Sequence, residues 1–256
     1  MTSRELVKNT IKFSNINDRI PLDLNEGILN DYKNHYGETK EYIKIFNLLK
    51  RIPQDIFRIA PQIPGAGFAP PANWEMKVEP DGTIKDEWGT IWKDEHPVRC
   101  PLMDLSNLKD YRFPDPDDKT RLNFLQKSLE TAKEEEKYCI YWYGYTLFER
   151  ISCLMGFENH LISLHTDIKT LLKIRDKIMD INYRFIEKIL QQGFDGIFIG
   201  DDLGSQNALL INPQDWRKYY KPCYQELFDL IKRYDTDIWM HSDGNIMEIV
   251  PDLLDL

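Results

Sequence analysis

The stretch from Asp195 to Asn245 constrains the fold of this chain more than any other. One apolar run, Asp195-Gly-Ile-Phe-Ile-Gly200, stops abruptly at Asp201-Asp202-Leu203-Gly204-Ser205-Gln206. A second, Asp237-Ile-Trp-Met240, stops at His241-Ser242-Asp243-Gly244-Asn245. Between them, Pro213 to Tyr234 is amphipathic and reads as one helix. Strand, helix and strand at this spacing form a βαβ unit, whose strands run parallel and are usually adjacent. Both polar clusters then lie at C-terminal strand ends on one edge of the sheet, where α/β sheets and barrels bind their ligands.

The rest of the chain continues the strand–helix rhythm. Residues 2–13 predict a short helix capped by Thr2 or Ser3, and residues 19–24 a first strand. Apolar spacing predicts a helix over 38–49, and 55–60 reads as a second strand. Prolines and glycines make 61–73 a loop. Asp81-Gly82 between alternating runs predicts an antiparallel hairpin over 74–92, an excursion beside the main sheet. Residues 94–118 read as proline-rich connection, followed by a helix over 118–136. The third core strand is 138–142; two short helices, 146–155 and 157–164, break at Gly156. A long helix over 167–192 has Asp167 as its cap and Gly193 just past its end, and a last helix begins near Asn245. Five parallel strands with no nucleotide-type glycine fingerprint place an α/β barrel ahead of a doubly wound sheet.

Charge narrows the function. Lys plus Arg number 33 against 42 Asp plus Glu, a net −9 with no basic block, which argues against a nucleic-acid partner. No apolar run approaches the roughly 20 residues of a membrane helix, and Met1–Lys8 lacks a signal-peptide core. The four cysteines are dispersed without a Cys-x-x-Cys pair, as expected of a cytoplasmic protein with reduced thiols.

Gly200-Asp-Asp-Leu-Gly-Ser-Gln-Asn-Ala-Leu-Leu-Ile-Asn-Pro-Gln-Asp-Trp-Arg-Lys-Tyr-Tyr-Lys-Pro222, followed by Trp239-Met-His-Ser-Asp-Gly-Asn245, resembles the uroporphyrinogen decarboxylase-like superfamily. The start of the chain, Asp86-Glu-Trp-Gly-Thr-Ile-Trp92, and Thr146-Leu-Phe-Glu-Arg150 with Met155-Gly-Phe-Glu158 are similar to its cobalamin-dependent methyltransferase branch. The resemblance implies a (β/α)8 TIM barrel as a single domain over 1–256, with the hairpin at about 74–93 inserted. It further implies that about three C-terminal strands lie beyond Leu256, so that the barrel is incomplete here.

The two branches make different demands. In the decarboxylase, an Arg-Gln-Ala-Gly-Arg segment after the first strand supplies cations to a carboxylate-rich tetrapyrrole; here the stretch is Asp23-Leu-Asn-Glu-Gly27. A tyrosine of that enzyme aligns with Arg150. The methyltransferase branch holds zinc by His-x-Cys at a strand end plus a distant cysteine. His241 keeps the first position and Asp243 replaces the cysteine, a donor set that suits oxygen ligands better than thiolates.

The expected activity is therefore corrinoid-linked methyl transfer to or from a small molecule, with a corrinoid-carrying protein as partner and zinc as the candidate metal. A decarboxylase acting on a carboxylated, porphyrinogen-like substrate is one alternative, and a non-catalytic binding protein or inactive fragment the other. Asp202 and His241 are the expected catalytic residues, with His241 and Asp243 as metal ligands. Asp201, Gln206, Glu149, Tyr143 and Asn245 are the expected substrate contacts. Asp243 has a second reading, as the cap of the last helix, and Glu149 with Arg150 as a surface ion pair. His160 and His165 read as helix-surface residues, and Tyr141-Trp142-Tyr143 as either core or the wall of a planar-ligand pocket.

Overall fold

The computed structural model describes residues 1–15, 19–23, 37–49, 51–52, 54–61, 67–94 and 96–256. Its strands are β1 (Ile56–Ile59), β2 (Ile84–Lys85), β3 (Ile91–Lys93), β4 (His96–Arg99), β5 (Tyr138–Tyr143), β6 (Gly196–Gly200) and β7 (Asp237–His241). The helices are α1 (Ser3–Ile11), α2 (Lys40–Leu49), α3 (Leu125–Glu134), α4 (Phe148–Met155) and α5 (Phe157–Thr166). They continue with α6 (Ile168–Leu190), α7 (Pro213–Tyr219), α8 (Lys221–Lys232) and α9 (Val250–Asp255). The chain divides into two units, one of residues 1–58 and 127–140, the other of 59–126 and 141–256.

The fold is α/β, with a main sheet of four strands in the order β1-β5-β6-β7. The first unit holds most of β1 and the start of β5; the second holds the rest of β5 with β6 and β7. Arg19 to Asp23 forms no strand, and Leu24 lies outside the described residues, so of the five parallel strands expected the first, at 19–24, is not seen in this sheet. That segment instead serves Asp55. Arg19 grips the Asp55 carboxylate through both terminal nitrogens at 2.5 and 2.6 Å, while the Ser3 hydroxyl and Leu22 N–H donate at 2.6 and 2.7 Å. Burial works against this charge, but the four donors hold Asp55 down to about 2. At the start of the same unit, Thr2 and Glu5 close a capping box on α1.

Strand β5 is buried at nearly every position, as a strand covered on both faces must be. Helix α6 packs with α8; its buried face runs Leu171, Ile174, Ile178, Ile181, Phe185, Ile189 at helical spacing. Each such side chain contributes about 1.5–3 kcal/mol by leaving water. The Asp167 side chain caps α6 at Thr170 N–H, and Gly193 follows its end at φ 83°.

The excursion differs from expectation. Gly82 adopts φ 81° in the Asp-Gly turn, but only one bridge, Val78 to Ile84, follows from it. The main pairing is β2 against β3, closed around Asp86, whose side chain accepts from Thr90 N–H and Trp92 Nε1 at 2.8 and 2.9 Å. A third strand, β4, pairs with β3 where proline-rich connection was expected. Pro97 is tolerated there because strands can carry proline at a sheet edge. The helix expected over 118–136 is a 3-10 turn, Lys119–Leu122, followed by α3. The helix expected over 213–234 breaks at Tyr220 into α7 and α8, where Pro222 removes a backbone donor. The last helix starts at Val250 rather than near Asn245.

Candidate functional site

Strands β6 and β7 pair in parallel from Gly196 opposite Asp237 to Gly200 opposite His241. The register brings Asp201 and Asp202 out beside His241, and Asp201 N–H donates to the His241 carbonyl at 3.1 Å. The two loops then cross backbone against backbone. Gly204 N–H donates to the Asp243 carbonyl at 3.2 Å, and Asn245 N–H to the Ser205 carbonyl at 2.6 Å. A Cβ on Gly204 would fall 2.6 Å from Asn245 N, and one on Gly244, already at φ 80°, would overlap the Gly204 carbonyl group. The Ser242 hydroxyl accepts from Leu203 N–H at 2.9 Å and ties the loops once more. Glycine is required at both positions for the polar clusters to converge.

The two adjacent aspartates part company at this point. Asp201 is fully buried. Its carboxylate accepts the N–H groups of Leu147, Phe148 and Glu149 at 2.7–2.9 Å and the Tyr224 hydroxyl at 2.5 Å. Leu147, which precedes α4, has no side chain able to cap that helix, so Asp201 does it from the neighbouring strand end. Burial raises the Asp201 carboxyl, and the Tyr224 hydroxyl and the three N–H donors pull it back. Asp201 is therefore a structural residue rather than the substrate contact expected from sequence, because its acceptor positions are occupied inside the protein.

Asp202 faces outward, its side chain 38% exposed. Its Oδ1 accepts the Asp243 N–H at 2.8 Å, which makes Asp243 a partner of Asp202 and leaves α9 without a cap from it. His241 Nε2 lies 3.7 Å from Asp202 Oδ1 and 3.5 Å from Asp243 Oδ1. The His241 ring stacks on Phe198 at 5.7 Å and 25°, and Phe198 lies 6.0 Å from Trp142. These aromatic rings on β5 and β6 set the plane of the imidazole.

Beside Asp202 opens a cavity of about 480 Å³, between one face of α4 and the β4 region. Glu149 points into it from the first turn of α4 and has the least ordinary acidity of the site. Burial first, then the charges of Asp201 and Asp202, push its carboxyl up to about 8, against the Asp202 N–H and Arg150. Tyr145, at the cavity wall, holds φ 51° and meets Trp92 edge-on at 5.3 Å. A bulky residue in this left-handed region stores strain that the surrounding packing must impose.

Other expected contacts move. Tyr143 is buried and donates to Asn182 Oδ1 at 2.6 Å, so it is core. Tyr141 is likewise buried, its hydroxyl donating to the Gly67 carbonyl. Arg150 is buried rather than superficial, 3.4 Å from Asp86 and under the Trp88 ring. His160 is also inside, between Ser152 Oγ at 2.8 Å and the Tyr220 hydroxyl at 2.6 Å, and burial holds it neutral at about 3. Gln206 is exposed in the crossing loop, and Asn245 bonds the Asn207 carbonyl from the other. Sequence reasoning missed β4 and Tyr224. A helix start at Leu147 without a capping side chain was the available sign that a carboxylate elsewhere had to supply one.

Residues 92–256 match the family model described as uroporphyrinogen decarboxylase (URO-D), which covers both strands, both loops and α4. The chain belongs to the uroporphyrinogen decarboxylase family. A comparison with curated proteins gives no significant match. Among solved structures, it is similar to a methyltransferase from Methanosarcina mazei, with TM-score 0.60 and 14% identity over 100% of this chain and 74% of that one. At that identity the likeness bears on fold, and it agrees with the α/β sheet described above. No described helix is long and apolar enough to cross a membrane.

Among the described residues of this family member, Asp202, His241 and Asp243 form the cluster able to hold a metal ion, with one donor atom each within 4.8 Å of the others. Zinc bonds of about 2.0–2.2 Å in a tetrahedron put ligand atoms roughly 3.4 Å apart. His241 Nε2 stands near that separation from both carboxylate oxygens, at 3.5 and 3.7 Å. One nitrogen and two oxygens fit zinc with a position open to a further ligand.

Proposed function

We propose that the chain is a methyltransferase of the uroporphyrinogen decarboxylase family, moving a methyl group between a corrinoid, carried by a partner protein, and a small molecule at the ends of β6 and β7. The observation that carries this reading is the convergence of Asp202, His241 and Asp243 beside the cavity. The fold likeness to a protein described as a methyltransferase supports it. His241 and Asp243, with Asp202, would hold zinc, whose role when bound is to lower the pKa of a substrate hydroxyl or thiol. An oxygen acid suits this donor set better than sulfur, because two of its three ligands are carboxylates.

The protein's own groups divide the remaining work. Asp202, through the carboxylate oxygen it does not give to the metal, binds the polar head of the substrate or accepts its proton. Glu149, held up to about 8, carries a proton at neutral pH and donates a hydrogen bond into the cavity. Gln206 and Asn245, on the crossed loops, are the polar contacts at the outer edge. The test is metal analysis and methyl transfer from methylcobalamin by the full-length protein, with His241→Ala beside it. One zinc per chain and loss of transfer in the variant are expected. A protein without zinc whose transfer is unchanged by the substitution would refute the metal role.

A further inference from the structure

Tyr145 sits half-buried in the wall of the cavity, between the end of β5 and the start of α4, at φ 51°. The chain on either side of it is fixed by contacts. Gly144 lies so close to Gly67 that a Cβ on Gly67 would fall 2.6 Å from the Gly144 carbonyl oxygen. Thr146 N–H donates to the Gly200 carbonyl at 3.1 Å, and the Thr146 carbonyl accepts from Asn182 Nδ2 at 2.6 Å. Pinned on both sides, position 145 takes up the left-handed turn, which glycine would adopt without strain. A tyrosine there is unfavourable for the backbone, and outliers of this kind cluster at binding and catalytic sites.

The Tyr145 ring is clamped and its hydroxyl is not. Trp92 meets the ring edge-on at 5.3 Å, and the Arg150 guanidinium carbon lies 5.7 Å from its centroid. Both clamps are anchored on Asp86, Trp92 through Nε1 at 2.9 Å and Arg150 at 3.4 Å. The hydroxyl makes no hydrogen bond among the described residues, nor is it one of the sealed unpaired atoms there, which are Trp88 Nε1 and Trp216 Nε1. It therefore opens into the space of about 480 Å³ that Tyr145 lines, a volume suited to a small molecule. Tyr143 and Tyr141 differ in this respect, their hydroxyls being committed to Asn182 and Gly67. Burial raises the Tyr145 hydroxyl, and Glu149 and Cys153 raise it further, so it remains an O–H that both donates and accepts. That capacity is the same whatever the ionisation of Glu149 or Asp202. The outer side of the cavity is open, with His96, Val98, Met103 and Phe157 exposed, whereas Phe148 and Cys153 in its wall are buried.

We infer that Tyr145 is a substrate-binding residue of this site, its hydroxyl hydrogen-bonding the oxygen of a small hydroxyl compound held in the cavity. A ring fixed before the ligand arrives loses little side-chain freedom on binding, so most of that hydrogen bond appears as affinity. The tyrosine contact expected at Tyr143 is thus supplied two residues further on. The inference rests on the proposed function for the reaction such a compound undergoes, while the contact itself stands on the geometry of Tyr145.

The experiment uses phenol and toluene, alike in shape and different in one hydroxyl, titrated into the full chain labelled with 13C at tyrosine Cζ. Tyr145→Phe keeps the ring and its clamps, and the resonance missing from its spectrum assigns Tyr145. Phenol should move that resonance further than toluene does. Tyr145→Phe should weaken phenol roughly three- to tenfold and change toluene by no more than about twofold. The variant should keep the wild-type urea midpoint, because the hydroxyl holds nothing inside the protein. Tyr143→Phe, which strands the buried Asn182 Oδ1, should lower that midpoint. The inference is overturned if phenol leaves the Tyr145 resonance in place, if the two probes move it equally, or if Tyr145→Phe binds phenol as tightly as wild type. A loss of stability in Tyr145→Phe equal to that in Tyr143→Phe also overturns it, since the hydroxyl would then be bonded internally. No metal and no methyl transfer enters the measurement. A failure of zinc binding therefore leaves this result readable, and a failure here leaves the zinc result readable.

Discussion

Asp201 and Asp202 are neighbours in the chain with opposite assignments, and the contrast separates what builds the site from what it presents. Asp201 is enclosed, with three N–H groups and a phenol on its oxygens. Asp202 is part-exposed, with one backbone donor and His241 nearby. The same side-chain chemistry is structural at one position and available at the next, because only the enclosed carboxylate has its acceptor positions filled. A site can stay open at its surface when the charge beneath it is saturated by internal donors.

The contrast can be broken by substitution. Asp201→Ala strands three backbone donors and the Tyr224 hydroxyl, and should cost roughly 3–5 kcal/mol in urea unfolding. Asp202→Ala should cost less than about 1 kcal/mol, as exposed polar changes do. Equal losses at the two positions would erase the distinction. Next in size is Gly244→Ala, for which about 2–3 kcal/mol is expected, since φ 80° and the Gly204 backbone both oppose a side chain. Crossed loops that tolerate alanine there would mean that the approach of the two strand ends is not what holds the cluster.

A third carboxylate sharpens the comparison. Asp55 is buried like Asp201, but a guanidinium is among its donors. With its folded value at about 2, below the ordinary 3.8, the folded state favours the ionised form. That contribution, about 1–2 kcal/mol, is present above roughly pH 4 and disappears as pH falls through 2. Asp55→Asn should therefore flatten acid unfolding between pH 4 and 2, measured by circular dichroism at a series of urea concentrations.

Glu149 acts with the opposite sign. Its folded value of about 8 lies above the ordinary 4.5, so the folded state keeps a proton that the unfolded chain releases. Stability from this group is full below about pH 4 and declines as pH rises towards 8. Burial sets it first, then the charges of Asp201 and Asp202 just past β6, against Arg150 on its own helix, with Tyr145 and Cys153 also close enough to interact with it. Glu149→Gln should reduce the fall in melting temperature between pH 5 and 8; an unaltered slope would place the proton elsewhere.

Much of this was legible in the sequence where periodicity and local chemistry act. The parallel pair β6 and β7, the long helix α6 with its Asp167 cap, and the break at Gly156 follow from spacing and capping residues. The approach of Asp202, His241 and Asp243 follows from strand ends sharing one sheet edge. What was hidden depends on contacts distant in the chain. The carboxylate that caps α4 lies 52 to 54 residues from the N–H groups it serves. The cavity needs β4, a short strand with Pro97 inside it that has no alternation to read. Tyr143 looked chemical by residue type and His160 looked superficial by its place on a helix, and both are packed inside by contacts distant in the chain.

Zinc titration of the full chain, with Asp202→Asn and His241→Ala in parallel, tests the central claim most directly, because both substitutions touch the open carboxylate's cluster and leave the Asp201 shell intact. The account predicts one zinc per wild-type chain, at least tenfold weaker binding in each variant, and unfolding curves within about 1 kcal/mol of wild type. Zinc that binds the variants as tightly as the wild type, or fails to bind the wild type at all, would contradict it.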